Sequence, residues 1–288
     1  MKIEIKNVEQ VFKEKKILKG INTSIDDCSI VGLLGENGAG KTTLMDIVAT
    51  LEQPTAGIVL YDGKVVKDYQ FLRNKIGYMP QEFGMYPQFS VEDNIKYFAY
   101  LHNLPNKIIE ARVAYLIDTL HLSEHRKKKY KQLSGGMKRR VGLAVALVHA
   151  PEILIIDEPT AGVDPEERSS IRDFILQLGE SISILFSTHI IEDIEQISDK
   201  IIVLKQGNVL FQGEVSQLLK RYEGKIFDVI YSPRLGNVNI KIIKQFKAPS
   251  GARAIIYSPK GDLPEGLEGS VVEPTLENCY LILNDLEG

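Results

Sequence analysis

Residues 28–51 read CSIVGLLGENGAGKTTLMDIVATL. An apolar run, a glycine-rich loop and a stretch with apolar residues at helical spacing follow one another. Within them Gly35, Gly40, Lys41 and Thr42 satisfy G-x-x-x-x-G-K-[ST] without a gap. No other feature constrains the fold as strongly, because such a loop works only between a buried strand and a helix aimed at an anion. Glycines let backbone N–H groups wrap a phosphate. Lys41 is placed to reach the β and γ oxygens of a nucleoside triphosphate, and the Thr42 hydroxyl to bind Mg²⁺. Leu44, Ile47, Val48 and Leu51 form the expected buried face of the helix.

The rest of the chain supplies the sheet around this loop. Ile3, Ile5, Val8 and Val11 alternate, and with KILKGINTSI they predict antiparallel strands. Residues 88–150 change to helical spacing and read as a helical subdomain inserted in the sheet domain, with Ser90 as an N-cap and Asp93 in the first turn. EILIIDEPT is a strand, 165–179 a helix, SISILFST a strand, 190–197 a helix, and KIIVLKQGNVLFQG a hairpin turning at Gly207. EVSQLLKRY is a short helix. Strands alternating with helices predict a mainly parallel sheet, hence an α/β fold. After Gly224 short strands split by Pro and Gly, closed by the helical TLENCYLILNDL, indicate a small C-terminal α+β unit. The expected domains are 1–223 and 224–288.

Asp157 ends the strand ILIID, where a carboxylate beside the loop is suited to hold Mg²⁺, commonly through water. Glu158 follows. Alternation would send it to the opposite side, but a turn at the strand end lets both acids approach the nucleotide, which makes Glu158 the candidate base for an attacking water. LSGGMKRR at 133–140 is a second place shaped for an anion: Ser134 reads as an N-cap, and Gly135 and Gly136 expose their N–H groups.

The chain has 288 residues and a formal net charge of −3, with a sequence pI near 6.0, which excludes a binder driven by overall basic charge. The longest apolar stretches, such as VGLAVALV at 141–148, fall short of the ~18 residues of a membrane span, and MKIEIKNVEQ lacks the apolar core of a signal peptide. Cys28 and Cys279 match no metal spacing and are expected as reduced core residues. The run HRKKKYK is expected to be a solvated loop.

With a phosphate loop, IIDEPT and LSGG in one chain, the sequence resembles the ATP-binding subunit of ABC transporters over residues 1 to about 223. The resemblance implies a P-loop NTPase cassette with an antiparallel β subdomain and a helical insert, an ATP hydrolase that needs ATP and Mg²⁺. It assigns Gly35, Glu36, Asn37, Gly38, Ala39, Gly40, Lys41, Thr42 and Thr43 to the nucleotide. Gln81 matches the glutamine that senses γ-phosphate and Mg²⁺, and His189 the histidine on the γ-phosphate. Asp164, in AGVDP, matches the loop that touches the opposite subunit. Phe12 falls where an aromatic stacks on adenine, against the alternative of a core strand residue. In the family two chains face head to tail, so Ser134, Gly135 and Gly136 serve the partner's ATP. One departure is Met137, where the family usually has glutamine; its loss is expected to weaken a contact near the ribose.

The same resemblance implies partners and place: polytopic membrane permease subunits, a second ATP-binding subunit that is identical or a close homologue, no nucleic acid, and a peripheral position on the cytoplasmic face of the membrane. Phe83, Met85, Tyr86 and Phe89 cluster where the family receives a helix of the membrane subunit. The tail EPTLENCYLILND resembles those on ATPases of ABC-2 exporters. The alternative, a soluble ABC ATPase of ribosomes or DNA, usually has two cassettes in one chain or a long inserted coiled coil, and neither is present.

Overall fold

The computed structural model describes residues 1–82, 84–231, 240–249, 251–263 and 267–286. They form two compact units, Met1–Val209 and Leu210–Gly288. In the first, β1 (Ile3–Phe12) turns into β2 (Lys15–Ile25) through Lys13 and Glu14, both at positive φ. Two such residues match the right-handed twist of an antiparallel pair. β3 (Ile30–Leu34) leads into α1 (Lys41–Val48). β4 (Ala56–Tyr61) returns beside β1 and completes a three-stranded antiparallel sheet, β2-β1-β4. Ile3 and Ile5, and Ile21, Thr23 and Ile25, face inward with the period of two; a register shift between Ile5 and Val8 restarts the alternation, so Val8 and Leu18 are buried as well.

α2 (Tyr69–Arg73), β5 (Ile76–Met79), α3 (Val91–Leu101), α4 (Asn106–Thr119) and α5 (Gly135–Leu147) follow. Then come β6 (Ile153–Asp157), α6 (Pro165–Gly179), β7 (Ser183–Thr188), α7 (Ile191–Ile197), β8 (Lys200–Lys205) and β9 (Asn208–Gly213). The second sheet runs β5-β6-β7-β3-β8-β9. The pairs β5/β6, β6/β7, β7/β3 and β3/β8 are parallel. Ile153, Leu154, Ile155 and Ile156 are all at 0% exposure. A parallel strand covered on both faces reads as an unbroken apolar run for this reason, and burying each such side chain contributes roughly 1.5–3 kcal/mol. β3, β6 and β7 lie side by side at the middle, with Asp157 opposite Ser187 and Leu34 opposite Thr188. Their carboxyl ends therefore open on one edge, where α/β sheets bind ligands.

α3, α4 and α5 pack on one another as the inserted helical subdomain. Ser90 caps α3 by accepting the Asp93 N–H at 3.1 Å. The basic run is not merely solvated. Glu92, 3% exposed, binds Arg126 in a fork at 2.7 and 2.9 Å and Lys127 at 2.6 Å, and Lys96 approaches to 2.9 Å. The backbone joins in: Val91 and Glu92 donate to the carbonyls of Lys128 and Arg126. The run thus ties a loop to the start of α3.

Two burial expectations fail. Leu51 lies past the end of α1 and is 52% exposed. Cys28 is exposed, in a turn between β2 and β3, whereas Cys279 is buried; both are free.

The second unit begins within β9. It holds α8 (Val215–Tyr222), β10 (Ile226–Ile230), β11 (Lys241–Ala248), β12 (Gly251–Tyr257), β13 (Gly269–Val271) and α9 (Leu276–Leu286). Its antiparallel sheet runs β11-β12-β10-β13, with Phe227, Val229, Ala254 and Ile256 in its core. The division at Val209/Leu210 differs from the boundary expected at 223/224. α8 goes with the later residues because it packs on α9, and Tyr222 meets Tyr257 edge-on at 5.6 Å.

Arg126, above all, with Lys127 and Lys96, holds the Glu92 carboxyl well below its usual range against the effect of burial. A lowered folded pKa adds stability that is complete above the unfolded pKa and is lost as pH falls through the folded one. Glu92→Gln is expected to destabilise the protein by about 1–3 kcal/mol at pH 7. In urea titrations the gap to the parent should narrow as pH drops below about 4.

Candidate functional site

The loop between β3 and α1 has the shape that its residues demand. Gly40, the N-cap of α1, sits at φ 105 in the left-handed region, where a Cβ would also meet Leu18 Cδ2 at 2.8 Å. At Gly35 a Cβ would lie 2.4 Å from the Leu204 carbonyl oxygen. The loop backbone can approach β8 only without side chains there. Lys41, 6% exposed, folds its ammonium into the loop and donates to the carbonyls of Gly35 at 2.7 Å and Glu36 at 3.2 Å. Burial lowers its pKa, against the pull of Glu158 and Asp157.

Asp157 is 2% exposed, and both its oxygens are engaged. Thr42 Oγ1 donates to Oδ2 at 2.9 Å, and Ser187 Oγ donates to Oδ1. Thr42 and Asp157, assigned to the metal from sequence, thus face one another across 115 residues of chain. A hydroxyl and one carboxylate are hard oxygen donors of the kind Mg²⁺ takes together with substrate phosphates. No group of three or more His, Cys, Asp and Glu able to hold a metal occurs among the described residues.

Glu158 shows how two neighbouring acids reach one site. Its φ is +53, so the chain turns at the end of β6 and the carboxylate swings round. Its N–H donates to Ser187 Oγ at 3.1 Å. The carboxylate lies between two bases, with Lys41 Nζ 3.8 Å from Oε1 and His189 Nδ1 2.8 Å from Oε2. His189 follows β7, and its side chain is 53% exposed.

These groups open on a hollow of about 350 Å³. Phe12, Asn37, Gly38, Gly40, Lys41, Thr42, Thr43, Gln81, Asp157, Glu158 and His189 line it. Phe12 is 43% exposed at the end of β1, which excludes a core role. Gln81 is exposed after β5, and its carbonyl accepts from Arg139 Nη1 at 3.0 Å. Gly35, Glu36 and Ala39 belong to the loop without lining the hollow.

Ser134, Gly135, Gly136 and Asp164 stand outside the hollow. Ser134 caps α5 by accepting the Met137 N–H at 3.2 Å, and Asp164 caps α6 by accepting the Glu167 N–H at 3.0 Å. Ser134, Gly135 and Asp164 are exposed. Sequence reasoning missed Lys15 and Ile17, which also line the hollow. The available signal was the β1/β2 hairpin, which puts Lys15 opposite Phe12. It also missed Ser187, whose only signal was its place two residues before His189.

The aromatic cluster after β5 is partly outward. Met85 is buried, Tyr86 and Phe89 are exposed and stack at 4.9 Å, and Phe83 lies outside the described residues. Asn94 fixes that loop, accepting the Tyr86 N–H at 2.9 Å and donating to its carbonyl at 3.1 Å.

Residues 18–161 match the family described as ABC transporter. The linearmycin resistance ATP-binding protein LnrL of Bacillus subtilis (strain 168) is 33% identical over 239 residues, 82% of this chain and 76% of that protein. The daunorubicin resistance ATP-binding protein DrrA3 of Streptomyces coeruleorubidus is 32% identical over 273 residues, 93% of this chain and 86% of that protein. Among solved structures, a dimeric post-hydrolysis state of the ATP-binding cassette MJ0796, bound to ADP and Pi, superposes with a TM-score of 0.68 at 27% identity, covering 74% of this chain and 98% of that one.

Lys41→Ala removes the buried ammonium from the loop. Affinity for ATP, read by titration with a fluorescent analogue, is expected to fall by about ten- to a hundredfold.

Proposed function

The chain belongs to the ABC transporter family, and from that premise we propose that it is the ATP-hydrolysing subunit that energises a membrane exporter of the ABC-2 kind. LnrL and DrrA3, named for resistance to linearmycin and daunorubicin, support export as the direction. The chemistry rests on one observation. Glu158 is a buried carboxylate turned by a left-handed backbone to lie between Lys41 and His189, beside the Thr42–Asp157 pair.

In this reading the loop amides and Lys41 hold the phosphates. Thr42 and Asp157, with Gln81, would hold Mg²⁺. Mg²⁺ supplies positive charge at the phosphate oxygens. Phe12 offers its ring to the base. Glu158 accepts a proton from the attacking water, and His189, held on Glu158 Oε2, faces the γ-phosphate.

Ser134, Gly135, Gly136 and Asp164 are assigned to the ATP of a second cassette. The support is that they are polar, mostly exposed, and off the hollow of their own chain. Tyr86 and Phe89 are assigned to a polytopic permease. No helix among the described residues is long and apolar enough to cross a membrane, so the protein reaches the cytoplasmic membrane face through that partner. By their motifs, residues 1–223 are proposed as the cassette and 224–288 as an accessory domain, on which the cassette's last helix, α8, packs through α9.

Glu158→Gln keeps the shape and loses the proton acceptor. Turnover is expected to fall about 10²–10⁴-fold, roughly 3–5 kcal/mol of barrier, with ATP still bound. A variant that keeps more than half the parental rate removes Glu158 from the role. The shared site has its own test. Lys41→Ala and Ser134→Arg homodimers have both sites damaged, whereas mixed dimers have one intact site. Hydrolysis should therefore partly recover on mixing. If mixed dimers form and rates stay at the level of the single variants, either the sites need one another or Ser134 serves its own chain; ATP cross-linked between Ser134 and Lys41 of one chain would remove the assignment to the partner's ATP.

A further inference from the structure

His189 has little packing of its own, since its side chain is half exposed. Its position must come from the backbone on either side. Thr188 Oγ1 accepts the Ile190 N–H at 2.9 Å, so the hydroxyl spans His189 and leaves the imidazole at the apex of a tight turn. That hydroxyl donates to Asp193 Oδ2 at 3.4 Å. The same oxygen accepts from Thr160 Oγ1, and Oδ1 accepts from Arg172 Nη1 at 3.2 Å. Asp193 and Thr188 are at 0% exposure, and Thr160 at 1%.

Thr160 lies two residues past Glu158, and its carbonyl accepts the Val163 N–H at 3.4 Å, at the start of the loop that carries Asp164. One buried carboxylate therefore joins three segments: the turn that bears His189, the chain that leaves Glu158, and α6 through Arg172. We propose that Asp193 is a positioning residue for hydrolysis, which fixes the His189 turn against the Glu158 strand end. This rests on the roles given above to Glu158 and His189.

The donors show why a carboxylate is needed. Two hydroxyls address one oxygen and a guanidinium the other, so every side-chain group facing Asp193 donates. An asparagine in its place offers only one acceptor oxygen, so the two hydroxyls would have to turn round to accept its NH₂, and Thr188 Oγ1 already accepts the Ile190 N–H. Arg172, 8% exposed, would also lose its buried charged partner and keep only the more exposed Glu192 at 3.4 Å. The resulting shift need not be large, because misplacing a reacting group by about 1 Å costs on the order of 10²-fold in rate.

The test compares Asp193→Asn, Thr188→Val, Thr188→Ser and His189→Ala in the full chain. Steady-state hydrolysis of MgATP and NMR of the His189 ring, identified by its loss in His189→Ala, are read together. Asp193→Asn and Thr188→Val are expected to lower kcat by about tenfold or more with KM within about threefold, and to shift the His189 ring signals. Thr188→Ser, which restores the hydroxyl, should recover most of the turnover lost in Thr188→Val. Unmoved ring signals, or a kcat within twofold of the parent in Thr188→Val, would overturn the proposal. Thr188→Val decides even where Asp193→Asn does not fold. Parental turnover in His189→Ala would instead overturn the role given to His189, whatever its ring signals do in the other variants.

Discussion

Asp157 holds the site together by being shared. Thr42 reaches one of its oxygens from α1 and Ser187 the other from β7. Three segments, α1, β6 and β7, thereby meet at one carboxylate at 2% exposure. A buried ion is stable only when its lone pairs are satisfied, and these two hydroxyls do that here. The strand order β6-β7-β3 is what makes the meeting geometrically available. Every other group of the hollow takes its place relative to this one: Lys41 one residue before Thr42, Glu158 one after Asp157, His189 two after Ser187.

The opposite sides of the molecule's chemistry are divided by exposure. Glu158 and Lys41 are buried and belong to a hollow complete in its phosphate loop and acids. Ser134 and Asp164 cap helices and face outward. Both serve their own helices first, since each side chain satisfies an otherwise orphaned backbone N–H. Gly135 and Gly162 lie on the same outer side: a Cβ at Gly135 would be 3.7 Å from the Gly162 carbonyl oxygen. α5 and the loop bearing Asp164 thus present one surface, the one proposed above for a second cassette.

Electrostatics outside the site follow the same rule of shared buried acids. Glu92 collects Arg126, Lys127 and Lys96 and anchors a loop to the helical insert. Asp193 collects two threonines and Arg172. In each case a single carboxylate ties segments far apart in sequence. Its removal leaves several donors to be re-solvated rather than one contact missing.

The sequence by itself determined the parallel sheet, the phosphate loop, the helical insert and the identities of Lys41, Thr42, Asp157 and Glu158. These are local: a period of two or 3.6, a glycine at a forced backbone angle, or an acid at the end of an apolar run is written within a few residues. Phe12 could be named but not placed, because a strand aromatic reads the same whether it faces a core or a hollow. Cys28 and Leu51 were misjudged for the same reason, since burial depends on what folds against a residue. Lys15 and Ser187 carried only the weak signals of a hairpin register and a place near His189, and Asp193 none, because their partners come from other strands and helices. Only the tertiary structure, by setting β7 between β3 and β6, decided that a serine, a threonine and an aspartate far apart in the chain would hold one catalytic edge in place.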